Sequence, residues 1–95
     1  MSTTAAVLGA DAARAALDRL RAYDEIVVFE PSVPELERLV EELADPRLDY
    51  LLGALPVLPL PDASIDLLVG ADGADPEVVR VLRAGGRAEP VAAGE

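Results

Sequence analysis

The side chains able to do chemistry in this 95-residue chain are few in kind. It contains no Cys, His, Lys, Asn or Gln, and all eight basic residues are Arg. Thiolate nucleophiles, imidazole bases, disulfides and the usual zinc sites are therefore excluded. Without Lys there is no Schiff base and no lysine of a phosphate-binding loop. Ser32 and Ser64 have no His or Lys base, so nucleophilic catalysis is not expected. What remains is carboxylate chemistry: accepting hydrogen bonds, capping helices or holding a cation. Asp62, Asp66, Asp72 and Asp75 lack the alternating ligands and closing Glu of a calcium loop. Asp66 falls within a strand pattern and Asp75 precedes Pro76 as a helix cap, so no metal site is expected. Glu35, Glu37, Glu41 and Glu42 read as the solvated side of a helix. Glu30 stands apart, because it ends a continuous apolar run, Ile26-Val27-Val28-Phe29.

Around Glu30 the chain alternates strand and helix signals. Ala5 to Gly9 reads as a short buried strand, with Asp11 as the expected cap of the helix that follows. In that helix Ala13, Ala16, Leu17, Leu20 and Tyr23 recur at helical spacing and form one narrow apolar face. Glu25 to Glu30 is the clearest strand, β-branched and aromatic throughout, as suits a strand covered on both faces. Pro31 ends it. Ser32-Val33-Pro34-Glu35 matches a capping box with Pro in the first turn. Leu36, Leu39, Val40 and Leu43 then give a clean amphipathic helix, stopped by Asp45-Pro46.

Leu48 to Leu52 is a third strand. Gly53 to Pro61 holds Pro56, Pro59 and Pro61 and reads as an extended loop. Ile65 to Val69 is a fourth strand. Asp75-Pro76 opens a short helix carrying Val78, Val79 and Leu82, with Gly85-Gly86 as its expected stop. Arg87 to Ala93 is a candidate fifth strand, marked by Pro90 as an edge. This order predicts an α/β fold, a three-layer Rossmann-like doubly wound sheet of four to five mostly parallel strands in one domain over residues 1–95. Ligands of such sheets lie at the carboxyl ends of the strands. The candidate walls are Gly9, Glu30, Gly53 and Gly70.

The formal net charge is −10, from eighteen acidic and eight basic residues. That balance repels phosphate backbones and anionic membranes, so neither nucleic acid nor membrane is an expected partner. No apolar stretch reaches the roughly 18–20 residues of a membrane span, and a cytoplasmic location is expected. The apolar fraction is 52% with only Tyr23, Phe29 and Tyr50 aromatic, so the expected core is aliphatic.

Three segments resemble class I S-adenosylmethionine-dependent methyltransferases when read in order. Val27-Val28-Phe29-Glu30-Pro31-Ser32 resembles the acidic end of that family's second strand. Leu58 to Val69, LPLPDASIDLLV, is similar to the run entering its fourth strand. Val79 to Arg87, VRVLRAGGR, is similar to the turn before its fifth strand. The likeness spans roughly residues 24–90 and implies that Glu30 accepts hydrogen bonds from the ribose hydroxyls of S-adenosylmethionine.

The departures from the family pattern bear on function. Where the family has a G-x-G-x-G turn, this chain has Gly9-Ala10-Asp11-Ala12-Ala13. Ala10 and Ala12 add Cβ atoms where close approach is needed. Asp11 puts a negative charge where the cofactor carboxylate would lie; two like charges 4 Å apart cost about 1 kcal/mol in water and more in a cleft. Gly53-Ala54-Leu55 lacks the adenine-side Asp, the segment after the fourth strand is short, and the family's last helix and hairpin are absent. The expectation is therefore a degenerate methyltransferase-like domain without catalytic residues, binding no cofactor. It would act through a protein partner or as a homo-oligomer, using an exposed fifth strand. One alternative is an S-adenosylmethionine-binding subunit whose site a partner chain completes. Another is a small-ligand binding module.

Overall fold

The computed structural model describes residues 2–55 and 57–90. Five strands, β1 (Thr4–Leu8), β2 (Glu25–Glu30), β3 (Leu48–Leu52), β4 (Ile65–Val69) and β5 (Leu82–Glu89), alternate with three helices, α1 (Ala10–Leu20), α2 (Val33–Leu43) and α3 (Pro76–Val81). The sheet order is β3-β2-β1-β4-β5 and every pairing is parallel. The chain starts in the middle, winds outward through α1 and α2 to β3, then crosses back over the Pro-rich loop to β4, α3 and β5. This is the predicted doubly wound sheet. Residues 91–93 of the expected fifth strand lie outside the described residues.

Strand alternation divides the core into two layers. Ala5, Val7, Ile26, Val28, Leu67 and Val69 face α1 and α2, where the small side chains Ala12, Ala13 and Ala16 let α1 lie close to the sheet. Ala6, Phe29 and Leu68 face the opposite side, against Leu58 of the loop and Val78 and Val81 of α3. Leu17 and Tyr23, expected on the apolar face of α1, pack only partly buried at its edge. The core is aliphatic apart from the fully buried Phe29.

Three local expectations are corrected. Helix α1 starts at Ala10 with Gly9 as its N-cap, and no side chain of that turn caps it; Asp11 sits inside the first turn with its side chain 97% exposed, paired with Arg14 at 3.1 Å. Its expected capping work is done by another carboxylate, described below. In α2 only Leu39 is fully buried and Val40 is 40% exposed, because the helix overhangs the end of the sheet rather than its middle. The Gly85-Gly86 pair does not stop α3. The helix ends at Val81, and the glycines lie inside β5.

That last correction has a clear cause. Ile65 pairs with Leu82 but Leu67 pairs with Arg87, so a bulge interrupts the ladder. The break in alternation falls at the same place: Ile65 packs in the α3 layer while Leu67, two residues on, packs in the α1 layer. Gly85, at φ 84°, supplies a left-handed turn. A Cβ on Gly86 would lie 2.9 Å from the Ile65 carbonyl oxygen, so only glycine fits there. Asp66 steadies the bulge, accepting from the Thr4 N–H at 2.8 Å and from Arg83 at 3.1 Å.

Candidate functional site

The carboxyl ends of β1 and β2 open into a groove of about 420 Å³ lined by Leu8, Gly9, Ala10, Asp11, Ala12, Glu30 and Glu35. Gly9 turns the chain from β1 into α1. Its φ of 97° is one that L side chains rarely adopt, so its backbone conformation rather than crowding demands glycine; a Cβ there would meet nothing within 4 Å. The Gly9 N–H donates to the Phe29 carbonyl at 2.7 Å and ties the turn to β2. Ala10 and Ala12 are buried, and their methyl groups belong to the α1 layer of the core.

Glu30 is the one buried charged residue among the described residues, 8% exposed. Its Oε1 accepts from the Ala10 N–H at 2.9 Å, and its Oε2 accepts from the Ser32 N–H at 3.0 Å. One carboxylate therefore holds both turns that follow the central strands. It satisfies the first amide of α1, the task expected of Asp11, and adds a negative charge at the positive end of that helix. It also takes the Ser32 amide, which a complete capping box would give to Glu35. Ser32 Oγ still accepts from the Glu35 N–H at 3.5 Å, while the Glu35 carboxylate pairs with Arg38.

The groove carries three carboxylates, on Asp11, Glu30 and Glu35. Arg14, next to it, is shared between Asp11 and Glu42 and holds Glu42 at 2.8 Å, which ties α1 to α2. Its guanidinium pKa is raised, chiefly by that Glu42 hydrogen bond. An anionic ligand group at the start of α1 would face Asp11 directly.

Gly9 and Glu30 thus share one groove. Gly53 and Gly70 do not line that groove and are closely packed. A Cβ on Gly53 would come within 3.0 Å of the Phe29 ring, and one on Gly70, at φ 108°, within 2.6 Å of the Leu8 carbonyl oxygen. Leu55 packs partly buried in the α3 layer and leaves the groove open. The four carboxylates between Asp62 and Asp75 are dispersed onto separate partners. Asp62 pairs with Arg80, Asp66 with Arg83, Asp72 accepts from the Ala74 N–H, and Asp75 caps α3 through the Glu77 N–H. No group of three or more acidic residues able to hold a metal ion occurs among the described residues.

A cluster the sequence did not point to lies on α3. Arg80 donates to Glu77 and Asp62 at 2.7 Å and to the carbonyls of Leu58 and Leu60, and Glu77 accepts from the Leu58 N–H at 2.6 Å. The Arg80 hydrogen bond, followed by that of the Leu58 amide, holds the Glu77 carboxyl down at about 2. This pair buckles the Pro-rich loop to the helix. Its only sequence signal is a Glu and an Arg three residues apart in α3.

No protein-family model matches the chain, and no curated protein matches it. Solved structures do. The complex between the Haloferax volcanii Trm112 methyltransferase activator and a chain described as a methyltransferase is similar at 24% identity and a TM-score of 0.75, over 92% of this chain and 43% of that one. The YcgJ protein of Bacillus subtilis is similar at 23% identity and a TM-score of 0.73, over 92% and 42%. A chain described as an S-adenosyl-L-methionine-dependent methyltransferase from Methanococcus maripaludis is similar at 24% identity and a TM-score of 0.71, over 90% and 46%. The chain has the fold of the class I S-adenosylmethionine-dependent methyltransferase core, as the three sequence segments implied. It spans less than half the length of these structures. No helix among the described residues is long and apolar enough to cross a membrane.

Proposed function

We propose that this domain is a non-catalytic accessory or structural subunit built on the methyltransferase scaffold, working through protein contacts. The observation that carries this reading is the double engagement of Glu30. Both oxygens of the carboxylate that would receive a ribose are bonded to backbone amides of the protein itself. The residues of the groove fit S-adenosylmethionine poorly on two further counts. Asp11 opposes the amino-acid carboxylate at the helix start, and Gly53-Ala54 offers no adenine-side acceptor. The domain's proposed location is the cytoplasm.

One observation favours a second reading, in which the chain binds the cofactor and a partner completes the site. The groove beside Gly9 is open, and each Glu30 oxygen retains a free lone pair. Gly9 and Glu30 would then hold the ligand, with Gly53 and Gly70 shaping the strand ends behind them. Isothermal titration with S-adenosylmethionine and with its demethylated product separates the two. The accessory reading predicts no heat of binding at millimolar ligand. Saturable binding at one site per chain would overturn it.

A further inference from the structure

The two ends of the sheet are finished differently. At β5 the bulge over Arg83–Gly86 breaks the ladder, Pro90 follows, and an ionic chain crosses the strand, with Glu89 held by Arg19 at 2.7 Å and by Arg87 at 3.0 Å. Bulges, prolines and charges of this kind block strand addition. The expected pairing edge is therefore guarded. At the other end β3 has no bulge and no proline, and its one charge, Asp49, is unpaired among the described residues. It pairs with β2 in unbroken register from Leu48 to Leu52, contains neither Pro nor Gly, and leaves its other side free among the described residues.

The surroundings of β3 are apolar and mostly acidic; the guanidinium of Arg47, just before the strand, is taken up by the Arg21 and Tyr23 carbonyls. Leu51 and Leu52 are 41% and 52% exposed. Helix α2 overhangs the strand, and Val40 and Ala44 line with Asp45, Pro46, Leu48 and Tyr50 a groove of about 330 Å³; Asp45 is paired with Arg21. Glu37 and Glu41 lie on the same side of α2 as Val40 and Ala44 by helical spacing. These two, with Asp49 of β3, are exposed and unpaired among the described residues. On the α1 side of α2, by contrast, Glu42 and Glu35 have arginine partners.

We propose that the β3–α2 end of the sheet docks an extended, basic segment of a partner protein, added to β3 as a sixth strand. Alternate apolar side chains of the segment fill the groove at Val40 and Tyr50 and cover Leu52. The alternating arginines or lysines face Asp49 on the other side of the sheet, and a basic residue flanking the apolar ones reaches Glu37 and Glu41 on α2. A second copy of this chain is the wrong occupant, because it would bring a net charge of −10 against −10 and these three acids against their own kind. The surface deepens the accessory reading and rests on it for the existence of a partner.

The test uses the whole chain and a ten-residue peptide of alternating Arg and Val, followed by fluorescence anisotropy and amide chemical shifts. Expected are saturable binding, shifts centred on Leu48–Leu52 and Val40, and loss of binding when two central peptide residues become Pro. Glu37→Lys with Glu41→Lys, both at exposed positions, should weaken binding about tenfold, the order of two lost charge contacts. Shifts scattered over the acidic surface, equal binding of the Pro peptide, or a peptide-free homodimer with protected β3 amides would overturn the proposal. S-adenosylmethionine added to the same sample reports on the accessory reading separately. Shifts at Gly9 and Ala10 would defeat that reading while leaving the β3 result to stand or fall on its own.

Discussion

Replacing Glu30 by Ala removes both hydrogen bonds that join the β1–α1 and β2–α2 turns. A hydrogen bond to a charged group contributes about 1.5–3 kcal/mol, so the pair sets a ceiling of about 6 kcal/mol. The groove is open and Ser32 is only half-buried, so water replaces part of the loss. We expect Glu30→Ala to destabilise the domain by about 3 kcal/mol, or about 12–24 °C in melting temperature for a domain of this size. Glu30→Gln should cost less, about 2 kcal/mol, because its amide oxygen keeps one of the two bonds while its NH2 group confronts the other N–H. Urea denaturation followed by circular dichroism gives the magnitude. Hydrogen exchange gives the location, since the Ala10 and Ser32 amides should lose protection ahead of the strand amides. A loss below about 0.5 kcal/mol in Glu30→Ala, within the range of ordinary surface substitutions, would refute the stapling role. So would unchanged protection at those two amides.

The same structure makes three further predictions. Asp11→Ala should change stability by no more than about 0.5 kcal/mol, since Asp11 is an exposed first-turn residue and not the cap; a loss of 1 kcal/mol or more in a urea melt would restore it as the cap. Gly70→Ala should cost more than about 2 kcal/mol or leave the protein insoluble, because the new Cβ meets the Leu8 carbonyl at 2.6 Å and φ is 108°; a stable, soluble variant would contradict the packing at that strand end. Glu77 has its folded carboxyl held at about 2 against an ordinary 4.5, so its stabilisation is present above pH 4.5 and is lost as pH falls toward 2. Glu77→Gln should flatten the stability profile in that window and open the Pro-rich loop to protease at pH 7; an unchanged acid limb would show that Arg80 does not depend on Glu77 to hold the loop.

The sheet was legible in the sequence because β1, β2 and β4 are mostly buried and its helices carry short apolar stripes. Glu25–Glu30 and the alanines of α1 each fit one kind of neighbour. The corrections fall where a partner far away in sequence decides. Nothing near Asp11 reveals that a carboxylate twenty residues beyond Ala10 takes the α1 cap, because Glu30 reaches it only once β1 and β2 pair. The glycines at 85 and 86 look like a helix stop from their own segment; their place in a bulge follows from the approach of the Ile65 carbonyl. Val40 fits the apolar stripe of α2, and only the position of α2 at the end of the sheet leaves it uncovered. Of the four residues expected at the strand ends, Gly9 and Glu30 line one groove because β1 and β2 are paired neighbours, while Gly53 and Gly70 lie outside its lining.

The account turns on what Glu30 holds. A crystal structure of the chain grown with millimolar S-adenosylmethionine tests it most directly. The account predicts Glu30 still bonded to the Ala10 and Ser32 amides, with no cofactor in the groove beside Gly9. A bound cofactor with its ribose hydroxyls on Glu30 would contradict it and make this chain a cofactor-binding subunit.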